Sequence, residues 1–432
     1  MNKEIVKTLI ATKQSEIPFN VIEREWSLPI NSRQIITISG VRRCGKSTLL
    51  HLTINRLVAS GVPRNRILWV GFDDERLFDM QAADLNVVIE AYLEMFPDIP
   101  LSEVYMFFDE IQVIKNWELF VLRVYKNQCK NIYVSGSNAQ MLSEELASAL
   151  RGYPIEFRAY PLSFKEYCRF IGVDTESFLE QDKAKVRNAF FEYLHESSFP
   201  EITLMTDRSL KTAKIQSYFN TMLYRDLVEH YMVKDSEILR FFLKRIMSNL
   251  TKPTSINAIF NDIKSRGFKI GKDVLYKWAD YACSVFMFCR IPKYEHSIIK
   301  EQTSAFKYYI IDNGLYKNVL IPQSDDNGKL LENMVCMHLL RTLQPTDKLS
   351  YFKESAECDF VVQRQTQIQQ LIQVTWQMAD AVTRKRELEG LVAASKATGC
   401  DNLLVLTTDE EGETVYKDKK ITILPTWKFL LQ

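Results

Sequence analysis

The sequence predicts an α/β fold. A parallel sheet with crossover helices comes first, followed by a helical segment, a helix-turn-helix unit and a second, smaller α/β unit. Three observations carry this reading. Short runs rich in β-branched and aromatic residues alternate with stretches of helical period between residues 34 and 136, the pattern left by parallel strands joined through helices. A loop with two glycines, Gly40-Val41-Arg42-Arg43-Cys44-Gly45-Lys46-Ser47, separates the first run from the first helical stretch. An acidic pair, Asp109-Glu110, closes a later apolar run.

In chain order, residues 1–33 are expected to form an N-terminal helical segment. Within residues 34–163 the strands read as QIITIS (34–39), RILWVGF (66–72), VYMFFD (104–109) and NIYVSG (131–136). Leu50, Ile54, Leu57 and Val58 repeat at helical spacing between the first two strands, and Leu85, Val88, Ile89 and Leu93 between the next two. The run PIEFRAYPLSF (154–164) is expected to close this sheet. Residues 164–234 turn helical and aromatic, consistent with a lid or connector. Residues 235–311 read as helix, glycine-containing turn, helix and two strands ending near KYYIID, a winged helix-turn-helix outline. In residues 312–432 a helix around Leu330–Leu340 precedes strands at LSYFKES, CDFVVQ, QQLIQVTW and NLLVLTT, with a helix between Lys385 and Lys396.

Composition narrows the functional classes. With 432 residues, 46% hydrophobic and 25% charged, the chain is ordinary globular material rather than disorder or coiled coil. A balance of 55 basic against 54 acidic residues argues against a polyanion-coating protein. Residues 235–300 depart from that balance, with 12 Lys/Arg against 6 Asp/Glu. Eight widely spaced cysteines without a CxxC pair suggest free thiols in a reducing cytoplasm. Five histidines form no ligand cluster, so no structural zinc is expected, and no apolar run is long enough to span a bilayer.

The loop fits G-x-x-x-x-G-K-[ST] between a strand and a helix, the setting a phosphate-binding loop requires. Its glycines let the backbone N–H groups of residues Gly40 to Thr48 close around ATP phosphates at a helix N-terminus. Lys46 is then expected to bridge the β and γ phosphates, and Ser47 with Asp109 to hold Mg²⁺. Glu110 is placed to polarise an attacking water. Ser137 and Asn138 suit a γ-phosphate sensor or, alternatively, a cap for a helix beginning near Met141. Arg42 and Arg43 could meet phosphate or pair with Asp73, Asp74 or Glu75. Arg123, Arg151 and Arg225 are candidate transition-state arginines.

The segments GVRRCGKSTLL, FFDEIQ, VSGSNAQML, FRAYPLSFKEY and YFNTMLYRDLVEH resemble, in that order, the prokaryotic P-loop ATPases that join an AAA-type domain to a C-terminal domain of unknown function. GKLLENMVCMHLL, YFKESAECDFVV and LIQVTW resemble that second domain. The resemblance implies an ASCE-type sheet with Lys46, Ser47, Asp109, Glu110 and Ser137 in the roles above. Many members carry an arginine after the glycine preceding PLSF, where this chain has Gly152-Tyr153.

The C-terminal pattern also resembles PD-(D/E)xK nucleases. Glu332 and Asp359 take two of the acidic positions, but Gln373-Val374-Thr375 stands where Glu-x-Lys is required. Glutamine supplies no carboxylate and threonine no ammonium, so the expectation is a nuclease-like fold without nuclease activity. Residues 255–295, with Arg266, Lys269, Lys272, Tyr276 and Lys277, are a candidate duplex-DNA surface or, equally, a protein-docking module. The sequence therefore leads to Mg²⁺-dependent ATP binding and slow hydrolysis coupled to these modules. The alternative is a nucleotide-gated DNA-binding or scaffold protein that does not turn ATP over.

Overall fold

A computed structural model describes residues 2–137, 152–320 and 326–432. The chain divides into two compact units, residues 1–160 with 284–286, and residues 161–283 with 287–432.

The first unit is a five-stranded parallel sheet. Its strands are β1 (Ile35–Gly40), β2 (Ile67–Gly71), β3 (Tyr105–Asp109), β4 (Asn131–Gly136) and β5 (Pro154–Ala159), in the spatial order β2-β3-β4-β1-β5. Helices α1 (Lys3–Ser15), α2 (Lys46–Ala59), α3 (Asn86–Met95) and α4 (Trp117–Asn127) accompany it. Strands buried on both faces need near-continuous apolar sequence, and the runs IITISG and YMFFD are buried throughout. Val6 and Ile10 of α1 and Val88 and Tyr92 of α3 join Met106, Phe108 and Val134 in one core. β4 and β5 flank β1 on either side. The loop after β1 therefore leaves the carboxyl end of an interior strand, where open α/β sheets bind ligands.

Two sequence expectations are corrected here. Of residues 1–33 only Lys3–Ser15 is helical; Pro18 and Pro29 remove backbone donors, and the chain from Glu16 to Gln34 runs without regular structure. The strand expected over 154–164 stops at Ala159. Pro161 intervenes, and Ser163 starts a helix through a reciprocal capping box with Glu166. The helix expected near Met141, with Asn138 and Arg151, lies outside the described residues.

The second unit begins with α5 (Phe164–Phe170), α6 (Glu180–His195), α7 (Pro200–Thr203) and α8 (Arg208–Thr221), the last running into a π-helical turn at Met222–Glu229 and followed by α9 (Ser236–Ser248). Next comes a three-stranded sheet, β6 (Pro253–Thr254), β8 (Phe306–Ile310) and β7 (Phe288–Ile291) in that spatial order. With it go α10 (Ile256–Ser265), α11 (Lys272–Ser284) and α12 (Ile298–Thr303). Gly267, at φ 84°, makes the turn after α10. The short α12 between β7 and β8 was not expected from sequence.

After α13 (Asn313–Leu320) and α14 (Asn327–Thr342) comes a six-stranded sheet in the order β13-β14-β12-β11-β10-β9. Its strands are β9 (Asp347–Lys353), β10 (Glu357–Arg364), β11 (Gln367–Val374), β12 (Leu403–Thr407), β13 (Gly412–Tyr416) and β14 (Lys419–Pro425), with α15 (Ala381–Thr398) and α16 (Thr426–Phe429). The hairpin β13–β14 is an addition to the sequence expectation. Among the described residues no cysteine forms a disulfide, and no helix is long and apolar enough to cross a membrane.

Candidate nucleotide-binding site

The loop between β1 and α2 needs backbone conformations that side chains resist. Gly40 has φ 155°, and a Cβ there would lie 2.3 Å from the Ala159 carbonyl oxygen of β5. Gly45, at φ 100°, caps α2 in the left-handed region, and Arg43 shares that region at φ 67°. The Lys46 side chain is buried. Its ammonium donates to the carbonyls of Gly40 (3.1 Å) and Val41 (3.2 Å) and lies 3.6 Å from Glu110 Oε1. Val41, Cys44, Ser47 and Thr48 complete the loop and the first turn of α2.

Asp109 ends β3, buried, and its Oδ1 accepts a hydrogen bond from the Ser135 hydroxyl of β4. Ser135 Oγ in turn accepts from the backbone N–H of Glu110 at 3.2 Å, so one hydroxyl holds both members of the acidic pair. Burial, and then the neighbouring Glu110, push the Asp109 carboxyl up to about 6, against hydrogen bonds from Ser135 and Ser47 that pull it down. Glu110 sits in the left-handed region at φ 50°. Burial raises its pKa, but Lys46 and Arg42, together with hydrogen bonds from Gln112 and Ser137, hold it below the usual carboxylate value. The Gln112 amide donates to Glu110 Oε2 and, at 3.4 Å, to Ser137 Oγ. Ser47 and Asp109 are the oxygen donors of a type suited to a hard dication.

Several sequence expectations are resolved by these contacts. Lys46, Ser47, Asp109, Glu110 and Ser137 come together. Arg42 acts electrostatically on Glu110, and in the acidic turn after β2 Asp74 is paired with Arg76 at 2.8 Å. Arg123 lies outside the site, donating to Asn86 at 2.8 Å. Arg225 belongs to the second unit, exposed on the π-helical turn. Tyr153 packs its ring 5.2 Å from Tyr125. Sequence reasoning missed Ser135 and Arg24. The buried Arg24 guanidinium donates to the carbonyls of Cys44 (2.9 Å) and Tyr160 (3.0 Å), tying the irregular N-terminal segment to the loop. A lone arginine far from the motif gives no pattern to find it by. Ser135 left a faint signal, a small hydroxyl inside an apolar strand.

In the second unit, Glu332 of α14 and Asp359 of β10 also converge. They meet on the buried ammonium of Lys307 from β8, at 3.1 and 3.0 Å. Gln373 does not face an open metal position. Its Oε1 accepts from the Asp359 N–H (3.2 Å), and its amide donates to Glu387 of α15 (2.6 Å). Burial, and then the neighbouring Asp359, push the Glu332 carboxyl upward, against the pull of Lys307.

A nucleotide-type loop facing an acidic pair across a 2-3-4-1-5 parallel sheet defines a P-loop ATPase domain, and residues 32–168 match the AAA domain family. Residues 187–326 and 327–429 match two domains of unknown function, DUF8612 and DUF4143. The chain is 30% identical over 422 residues to an uncharacterized protein of Methanocaldococcus jannaschii, covering 95% of this chain and 91% of the relative. It therefore belongs to the family in which an AAA-type ATPase domain is followed by these two domains. It is 31% identical over 339 residues to an uncharacterized protein of Haemophilus influenzae, covering 77% of this chain and 80% of that one. Among solved structures it is similar to the Aeropyrum pernix ORC1 protein in complex with DNA, at a TM-score of 0.31 and 9% identity over 74% of this chain and 92% of that one.

Proposed function

We propose that the first unit binds ATP with Mg²⁺ and hydrolyses it slowly. The observation that carries this is the convergence of the Lys46 ammonium, the Ser47 hydroxyl, Asp109 and Glu110 on one loop. Gly40, Val41, Arg42, Arg43, Cys44, Gly45 and Thr48 surround the phosphates with backbone donors, and Lys46 exchanges its two carbonyl partners for phosphate oxygens. The donor set fits Mg²⁺: two oxygen ligands, Ser47 and Asp109, in a buried acidic pocket that favours added positive charge. When bound, the dication neutralises phosphate charge. Glu110, kept ionised by Lys46 and Arg42, accepts a proton from water, and Ser137 with Gln112 orients its carboxylate.

Losing the Lys46 ammonium removes charge-assisted hydrogen bonds of roughly 1.5 to 3 kcal/mol each, about ten-fold to a hundred-fold in affinity per bond. Lys46→Ala is therefore expected to weaken ATP binding by that factor, whereas Glu110→Gln keeps binding and loses turnover. Nucleotide binding and phosphate release measured on both variants test this. Equal phosphate release by wild type and Glu110→Gln would refute the assignment.

The second unit supports a further reading. The order of α10, α11, β7 and β8, with β6 completing the sheet, supports a winged helix-turn-helix whose exposed basic residues face duplex DNA, and the placement of Glu332 and Asp359 supports a nuclease-like fold without nuclease activity.

A further inference from the structure

Lys307 is fully buried, and its ammonium meets three carboxylates. Glu357 Oε1 lies at 2.9 Å, Asp359 Oδ1 at 3.0 Å and Glu332 Oε1 at 3.1 Å. The three acids come from two elements, α14 and β10, and the lysine from a third, β8. Tyr309, on the same face of β8 two residues along, donates its hydroxyl to the same Glu332 oxygen at 2.7 Å. Asp359 is held from behind, its Oδ2 accepting the Val374 N–H at 3.0 Å. Glu357 also pairs with Lys353 at 2.8 Å.

Buried carboxylates repel one another and are strongly disfavoured without a cation among them. Proteins ordinarily supply either a basic side chain or a metal ion. Here the basic side chain reaches in from the three-stranded sheet and takes the centre of the acidic set. Three carboxylate oxygens at close to 3 Å lie at ammonium distances; hard dications sit at about 2.0 to 2.6 Å from their oxygens. Among the described residues no group of three or more histidine, cysteine, aspartate or glutamate side chains is arranged to hold a metal ion.

We infer that the Lys307 ammonium is the resident cation of this carboxylate centre, standing in place of a divalent metal ion such as Mg²⁺ or Mn²⁺ and barring metal-dependent hydrolysis there. A sequence comparison restricted to Gln373 and Thr375 would not find it, because the cation comes from a strand outside the six-stranded sheet. The same three bonds fasten β8 to β10 and α14. The inference is independent of ATP hydrolysis, which concerns the other unit.

Mn²⁺ titration followed by electron paramagnetic resonance, on the full chain without nucleotide, tests it. Wild type is expected to lack a Mn²⁺ site that depends on Asp359. Lys307→Ala is expected to gain one Mn²⁺ per chain, bound at least about ten-fold more tightly than by wild type and lost again in Lys307→Ala/Asp359→Asn. Mn²⁺ should raise the melting temperature of Lys307→Ala and leave that of the double variant unchanged. If wild type itself bound Mn²⁺ and Asp359→Asn abolished this, the lysine would not be the occupant. That measurement decides the matter even if Lys307→Ala fails to fold. A folded Lys307→Ala that gained no site would equally overturn the inference, as would Mn²⁺-dependent DNA cleavage by wild type that Lys307→Ala lost, which would make the ammonium part of an active centre.

Discussion

His51 illustrates how one residue can set an acid limit on stability. It lies on α2, its ring stacked 4.0 Å from Phe19 and tilted at 4.9 Å against Trp69. Asn55, one turn along, clamps the backbone of Phe19 with two hydrogen bonds of 2.8 Å. Burial, and secondarily Lys13, push the His51 pKa down to about 4 from 6.5. The folded state thus prefers the neutral ring. Its contribution is complete above pH 6.5 and is lost as pH falls toward 4, by about 3 kcal/mol at 1.36 kcal/mol per unit. Replacing His51 with Phe keeps the stack and removes the titration. Urea unfolding at pH 7.5 and pH 4.5 should therefore show a smaller acid loss in His51→Phe than in wild type. The same loss in both would exclude His51 as a source of the acid limit.

At the scale of elements, the meeting of β1 and β5 fixes the loop. Gly40→Ala would place a methyl 2.3 Å from the Ala159 carbonyl, whereas at Gly61, also left-handed at φ 96°, a Cβ meets nothing within 4 Å. Both substitutions strain the backbone by roughly 1 to 2 kcal/mol, but only Gly40→Ala must also push β5 from β1. It should lower the urea midpoint clearly more than Gly61→Ala does; equal shifts would mean that the strand contact yields freely.

Elements whose chemistry is local were legible in the sequence for the same reason. The buried strands β1, β3 and β4 and the loop Gly40–Ser47 each carry their cause within a few residues. The hairpin β13–β14 was not legible, because its turn residues Lys417 and Asp418 adopt φ 47° and 64° without the Asn-Gly signature that usually marks such turns. The end of β5 was hidden by apolar sequence continuing past Pro161 into the capping box of α5. Arg24 and Lys307 depend on partners 20 to 136 and 25 to 52 residues away, contacts that exist only once the fold is made.

Across the whole molecule, near-neutrality conceals an uneven distribution of charge. Residues 235–300 hold 12 basic and 6 acidic side chains, while residues 1–234 hold 28 and 30, and residues 301–432 hold 15 and 18. The structure divides the basic excess further. Arg245, Arg290 and Lys293 are paired with Asp262, Asp280 and Glu295 at 2.5 to 2.6 Å. Lys264, Arg266, Lys269, Lys272 and Lys277, by contrast, are exposed on α10, α11 and the turn between them. Under the helix-turn-helix reading proposed above, these five cations would meet a duplex phosphate backbone. If each neutralises one phosphate, the logarithm of the association constant should fall with the logarithm of salt at a slope of about −4.5. Lys272→Gln/Lys277→Gln removes two of the five and should bring the slope to about −2.7, with weaker binding at every salt concentration. Fluorescence anisotropy with labelled duplex DNA measures both. A slope near zero for wild type, or one unchanged in the double variant, would assign the exposed charge to solvation and leave this face to a protein partner.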